Sequence, residues 1–560
     1  MSNSIPQPRY EYKDAVDFVI VGAGAAGGVL AKELSTQGFR VVVLEQGPFL
    51  HEEDFSHDEY RQFATGPLIN HGQKQTFRAT ESEAAKPALS LVYGRMVGGG
   101  SVHFTGNYWR FHEIDFNEVS KKGSIEGTGL ADWPIRYADL EPYYTKVDWQ
   151  IGVSGDASSN PFEPPHSKPY PLPPMPVKSS GVLFERGARK LGLHPFPAPL
   201  AILSGPHNGR GQCMHCGFCE FYGCEMGAKS STLVSMIPLA LETGRCEIRA
   251  GCTASRIATN AKGIATGVAY FDAEGNERFQ SAKAVIVSAN GAETPRLLLL
   301  SANKQFPEGL ANTSGMVGKY LMFNFGAFSA GVFEHPLNDY RSVVDTRVIH
   351  DFYEIDAKHG FYGGGGIDAR FDMGPITFAE AGLAPDVPRW GSGFKRALAH
   401  DFTRTMYLLC HCTSLPIERN NITLDPALKD RFGLPAMRVT YKDHADDLKT
   451  GAFLQARALE ILDAAGAEKK WGFPVEPSTA AVHLLGTCRM GNDPRTSVIN
   501  SDHRTHEVEN LFLCDGSSFV TSGRGQPTMT IQALAFRAAD RIGALARKGE
   551  IPHATVSRAG

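Results

Sequence analysis

Residues 17–45 constrain this chain most. Asp17-Phe-Val-Ile-Val21 is an apolar run of strand length, and Gly22-Ala-Gly-Ala-Ala-Gly27 follows at once. A helical run then extends to Gln37, and after the turn at Gly38 a second apolar run reaches from Phe39 to Glu45. Strand, glycine turn, helix and strand in that order predict a βαβ unit of a parallel sheet. In this G-x-G-x-x-G pattern Gly22 makes the tight turn, Gly24 lets the backbone approach a pyrophosphate, and Gly27 lets helix and strand pack closely. The free N–H groups at the helix start face the phosphates. Glu45 ends the second strand, where an acid binds a ribose 2′-OH and repels a 2′-phosphate, which disfavours NADP. The fingerprint does not distinguish FAD from NAD.

The chain is long enough for three or four domains, or for one large α/β enzyme with insertions, at 560 residues. With 42% hydrophobic and 21% charged residues it is globular rather than disordered. A formal charge of −4 gives no basic surface for nucleic acid. The longest apolar stretch, Phe18 to Ala31, is too short and too glycine-rich to span a bilayer. The first 14 residues lack an apolar core and a small-residue cleavage site, so the chain is expected to carry no export signal of its own.

Eight prolines between 161 and 176 predict an extended linker, and 205–230 reads as a cysteine-dense loop. Short strands with turns are predicted over 247–289 and a helix over Thr294 to Ser301. A more β-like module follows over 325–440, and two long helices over Ala445 to Ala465 and Gln532 to Arg547.

Cys213-Met-His-Cys216-Gly-Phe-Cys219-Glu-Phe-Tyr-Gly-Cys224 places four of ten cysteines in one short loop. Disulfides, a structural zinc and an iron–sulfur cluster are each compatible with that spacing. Cys246, Cys252, Cys410, Cys412, Cys488 and Cys514 sit in strand-like or motif contexts and are expected to be buried thiols.

Further stretches resemble the signatures of the glucose–methanol–choline (GMC) oxidoreductases. Val97-Gly-Gly-Gly-Ser-Val-His-Phe-Thr-Gly-Asn-Tyr-Trp-Arg110 resembles the first signature loop; residues 289–301 with 314–322 resemble the second. Residues 483–491, 510–519 and 525–531 resemble the closing motifs. The likeness runs in family order from about 16 to 545. It implies an α/β fold, with a Rossmann-like FAD-binding domain and an antiparallel-sheet substrate domain. The expected division is 1–325 for the main FAD part, including the linker at 155–178 and the loop at 205–230. Residues 326–478 would form the substrate domain and 479–560 the FAD domain's return.

By resemblance, Gly98, Gly99 and Ser101 lie along the flavin, and Asp515 binds its ribityl–phosphate end. His103 sits where some members attach the flavin covalently and others keep an unbonded histidine. Gly100 and Phe104 depart from the usual serine and asparagine. His483 occupies the position of the catalytic histidine. Gln526, before Pro527, stands where histidine or asparagine is usual. Gln hydrogen-bonds a substrate oxygen but is no base, which leaves His483 as the base for hydroxyl oxidation.

The cysteine loop, leading into Met226-Gly-Ala-Lys-Ser-Ser231, resembles the large subunits of bacterial multi-subunit sugar dehydrogenases of the glucoside 3-dehydrogenase and gluconate 2-dehydrogenase type. That likeness implies a three-iron, four-sulfur cluster, with Cys213, Cys219 and Cys224 as first choices and Cys216 as spare or fourth ligand. It implies oxidation of a secondary hydroxyl of a sugar, glycoside or sugar acid, C3 of glucosides favoured. It also implies a small subunit carrying an export signal, a cytochrome c acceptor and a periplasmic location, the cytoplasm being the alternative. Two rival readings are a dioxygen-using oxidase with a structural metal and an electron-transfer subunit with a decayed site. Arg389-Trp-Gly-Ser-Gly-Phe-Lys-Arg396 reads as a structural turn, and Asn421 to Pro426 as a substrate-domain strand.

Overall fold

The computed structural model describes residues 7–12, 14–65 and 73–553. Residues 1–6 of the N-terminal stretch lie outside it. The βαβ unit forms as the pattern predicts. Strand Val16–Val21 leads through the glycine turn to helix Ala25–Thr36 and then to strand Val41–Leu44, which pairs parallel with the first. These strands are nearly all buried because helices cover a parallel sheet on both faces.

Their sheet has seven strands. Cys246–Arg249, Val41–Leu44, Val16–Val21 and Glu277–Val287 lie side by side in parallel. Strand Glu277–Val287 changes partners along its length. Its first half continues an antiparallel meander with Ala265–Phe271 and Thr253–Thr259, while its last residues pair parallel with Leu511–Leu513. The chain therefore returns to its first sheet after leaving it for more than 200 residues. The main apolar core reflects that return, since it joins residues from Val16 to Met322 with residues from Leu485 to Ile551. The final helix, Pro527–Lys548, starts five residues before the predicted Gln532, because Pro at its first turn continues the pattern rather than ending it.

A second sheet of six strands is antiparallel throughout. Its order is Lys469–Gly472, Gly326–Val332, Thr405–Cys412, Gly365–Arg370, Asp345–Ile349 and Phe196–Pro197. Helix Ala445–Ala465 packs its Leu454, Ala458, Ile461 and Leu462 against it. A four-stranded sheet pairs Asn421–Lys429 with Pro435–Thr440, and the latter with Gln75–Arg78. Strands from before residue 326 thus join sheets built mainly after it. The proline-rich stretch holds no helix or strand from 160 to 178; Leu172 makes a single bridge to Ser154. Arg389–Arg396 departs from its expected turn: helix Gly391–Asp401 begins there and lies on the surface with no buried residue. Among the described residues no helix is long and apolar enough to cross a membrane.

Candidate active site

One cavity of about 900 Å³ links the glycine fingerprint to the closing motifs. Gly22, Gly24 and Glu45 line one end; Gly99, Ser101 and His103 line its side; Asp515, His483 and Gln526 complete it. Gly98 and Gly27 shape the wall from behind. Gly22 has φ +97°, and a Cβ there would fall on the Ser288 carbonyl oxygen, so only glycine fits the turn. Gly99, at φ +57°, packs its Cα toward Gly24, where a Cβ would stand 2.8 Å from the Gly24 Cα. The two glycine loops thus touch backbone to backbone and leave a narrow trench.

Helix Ala25–Thr36 starts at that trench with no side-chain cap and no acid in its first turn. Its unpaired N–H groups are therefore available to phosphate oxygens. Glu45 is buried and accepts from Ala23 N and Gly47 N, both at 2.9 Å. Burial outweighs these bonds and pushes its carboxyl up to about 7. Asp515 caps the short turn Gly516–Ser518 through Ser517 N at 2.7 Å and accepts from Thr294 Oγ1 at 2.6 Å. Ser101 Oγ donates to Gly98 O at 2.7 Å and so pins its own loop. His103 turns a buried Nε2 without a hydrogen-bond partner, and burial lowers its pKa to about 4. An uncapped helix start, a glycine trench, a ribose-side acid and an orphaned buried nitrogen along one cavity fit a bound FAD.

His483 and Gln526 meet at the other end. His483 lies in the irregular stretch after the second sheet and is part-buried. Burial and the nearby His411 and Arg370 lower its pKa to about 4, so its ring is neutral at ordinary pH. Gln526 is the N-cap residue of helix Pro527–Lys548, yet its side chain makes no capping bond. It reaches His411 Nδ1 at 3.2 Å instead.

Sequence reasoning missed His411, Asp368, Arg370 and Glu220. A signal was present for Asp368 and Arg370, in the strand Gly365–Arg370. Asp368 and Arg370 alternate onto one face of such a strand, and ionised residues are rarely buried unless paired.

The cysteine loop abuts the cavity through Glu220 and Phe221, which help to line it. Phe221 N donates to His103 O at 2.7 Å. The buried Lys229 ties the loop down by donating to the carbonyls of Cys219, Tyr222 and Phe104. All ten cysteines are free, and the six outside the loop are buried, as expected. Within the loop Cys219 is buried, Cys213 and Cys224 are part-buried, and Cys216 is exposed. Burial pushes the Cys213 thiol up to about 11 and Cys219 up to about 12, and the neighbouring sulfurs add to both. The positions of these thiols lend no support to the iron–sulfur cluster that the resemblance implies. Among the described residues no group of three or more His, Cys, Asp or Glu side chains is placed to hold a metal ion. The physical reason is that neutral thiols at different depths have nothing to draw them together.

Comparison with known proteins agrees with the fold. The GMC oxidoreductase N-terminal family model matches residues 16–322 and the C-terminal one residues 416–535. The chain is 34% identical over 533 residues to a 2-methyl-1,2-propanediol dehydrogenase of Mycolicibacterium austroafricanum, covering 94% of this chain and 95% of that protein. It is 28% identical to a gluconate 2-dehydrogenase flavoprotein of Pantoea cypripedii, covering 94% and 93%. A crystal structure of formate oxidase superposes with a TM-score of 0.69 at 16% identity, covering 96% of this chain and all of that one. Fold, cavity and family match agree: the chain belongs to the GMC oxidoreductases, FAD-dependent enzymes acting on alcohol or sugar hydroxyls.

Proposed function

We propose that this chain is a dehydrogenase that oxidises a hydroxyl of a polyhydroxylated substrate, a sugar or glycoside in the first place, with C3 of glucosides favoured. The observation that carries this reading is the shared cavity: His483 and Gln526 line the same space as the FAD-fitting trench. The wall near them also presents Glu220, Arg370 and Asp372, a polar surface suited to several hydroxyl groups.

Gly22, Gly24, Gly99 and Asp515 hold the cofactor, and FAD supplies a two-electron acceptor for hydride. His483, neutral because it is buried, takes the hydroxyl proton as the adjacent carbon loses hydride. Gln526 holds the catalytic imidazole and the hydroxyl in register. The cavity walls keep water from competing for the hydroxyl.

Keeping the four loop thiols as the seat of an iron–sulfur cluster rests on their spacing and on the loop's contact with the cavity wall. The expected setting follows from the same likeness: a signal-bearing small subunit, a cytochrome c acceptor and the periplasm. A second substrate reading, a short 1,2-diol, is favoured by the 34% identity to the propanediol enzyme.

Anaerobic mixing with alkyl glucosides, gluconate and 1,2-diols tests the choice, with flavin bleaching as readout and product analysis after. Rapid bleaching by glucosides with a 3-keto product supports the first reading. Bleaching by diols alone replaces it with the second, and no bleaching by any of them removes both.

A further inference from the structure

Gln526 departs from the family pattern in the closing motif, and the structure supplies its context. Arg370 grips Asp368 through two N–H groups, Nε to Oδ1 at 2.8 Å and Nη2 to Oδ2 at 2.7 Å. Asp368 Oδ2 also meets His411 Nε2 at 2.7 Å and Asn107 Nδ2 at 3.3 Å. His411 Nδ1 meets Gln526 Nε2 at 3.2 Å, and Gln526 is in turn a hydrogen-bond partner of His483. Asp368, Arg370 and His411 are all buried, and His411 packs edge-on against Trp109 at 4.8 Å between ring centres. The hydrogen bonds run from the buried ion pair as far as Gln526, which in turn acts on the proposed base.

The donor and acceptor are fixed from Asp368 as far as Gln526. Burial works to raise the Asp368 pKa, but Arg370 and His411 overcome it and hold the carboxyl well below its ordinary value. An ionised carboxylate only accepts, so His411 donates through Nε2. The neutral ring then carries its lone pair on Nδ1, to which Gln526 must offer its NH₂ group. The contact with Gln526 favours the protonated ring of His483, so the Gln526 carbonyl oxygen is the atom turned to it. A ring nitrogen of His483 bonded to that oxygen must carry hydrogen, which leaves the lone pair on the other nitrogen.

We propose that Asp368, His411 and Gln526 form a positioning row that fixes which nitrogen of His483 is free to take the substrate's proton. In the step served, the substrate O–H bond breaks and an N–H bond forms on that nitrogen, while the hydride leaves the carbon for the bound FAD. The new imidazolium then shares its charge with the Gln526 oxygen. The inference rests on reading His483 as the base. Other charged groups face the row from its far end: Glu220 and Asp372, each 3.6 Å from Arg370 Nη1, and Asp345 beside Asp368. Among the described residues, Arg370 and His411 are the charged or titratable groups that act on His483 itself.

The test is the pH profile of flavin reduction by substrate in the FAD-loaded protein. In Asp368→Asn the neutral amide no longer dictates the His411 tautomer, and the plateau rate falls by about tenfold or more. The limb where activity is lost in acid moves to lower pH, because the imidazolium loses its acceptor. Gln526→Glu, at the cavity wall and free of folding risk to the buried pair, puts a carboxylate against His483 and moves that limb upward. An upward shift in Gln526→Glu, together with a lower plateau and a lower acid limb in Asp368→Asn, supports the row. An unmoved limb in Gln526→Glu, or a plateau and limb unchanged in Asp368→Asn, overturns it. Full-rate reduction by His483→Ala is a separate result, which removes the base assignment itself.

Discussion

As the proposed base, His483 would act by lacking charge. Burial, His411 and Arg370 all disfavour its protonated form and lower its pKa to about 4, against about 6.5 for a free histidine. A base must be unprotonated, so activity is present above the folded pKa and lost as pH falls through it. Flavin reduction is therefore expected to stay level from neutral pH down past 6, with its acid limb well below an ordinary histidine's. His483→Ala should cut that rate by roughly 10²- to 10⁴-fold while FAD content is kept. Anaerobic stopped-flow across pH checks both. His483 was legible from the chain because its motif is contiguous, from 483 to 491. His411 was not: it is one of 19 histidines and its partners come from another strand, so no spacing along the chain marks it. Gln526 was found by the same contiguity but read only as a hydrogen-bond partner of the substrate oxygen. Its meaning lies in the imidazole behind it.

At the scale of elements, the site is built where glycine loops meet helix starts. The helix Ala25–Thr36 opens on the trench, and Gly99 closes against Gly24 from a loop about 75 residues away in the chain. Alanine at Gly99 adds a Cβ 2.8 Å from the Gly24 Cα, at a φ of +57° that costs a side-chain-bearing residue about 1–2 kcal/mol. Gly99→Ala should thus weaken FAD binding by roughly tenfold or more, since about 1.4 kcal/mol is tenfold in affinity. Fluorescence titration of the stripped protein with FAD measures it, and unchanged affinity would remove Gly99 from the cradle. The fingerprint helix and strands came directly from periodicity. The helix at Gly391–Asp401 did not, because glycines at its start read as turn residues and no buried face gives it a period.

At the scale of the molecule, the cysteine loop and the flavin cavity share a wall, yet the thiols are not gathered. An iron–sulfur cluster would have to supply the attraction that neutral thiols lack, so its assembly is a loading event. Protein purified from iron-replete cells should contain iron rather than zinc and show broad absorption beyond the flavin bands. Cys219→Ser should lose the iron and keep substrate-driven flavin bleaching. Zinc without iron, or neither metal, ends the cluster reading. The cofactor-binding unit is legible along the chain because its spacing matches a strand, a turn and a helix, while the candidate base and the motif order are legible by resemblance, since each family motif is a contiguous run. What surrounds that base is set in three dimensions. Strand Leu511–Leu513 returns to the first sheet, and Thr405–Cys412 pairs with Gly365–Arg370 to bring His411 onto Asp368. These contacts form between segments tens to hundreds of residues apart, where burial and hydrogen-bond pairing in three dimensions, rather than local periodicity, choose the partners.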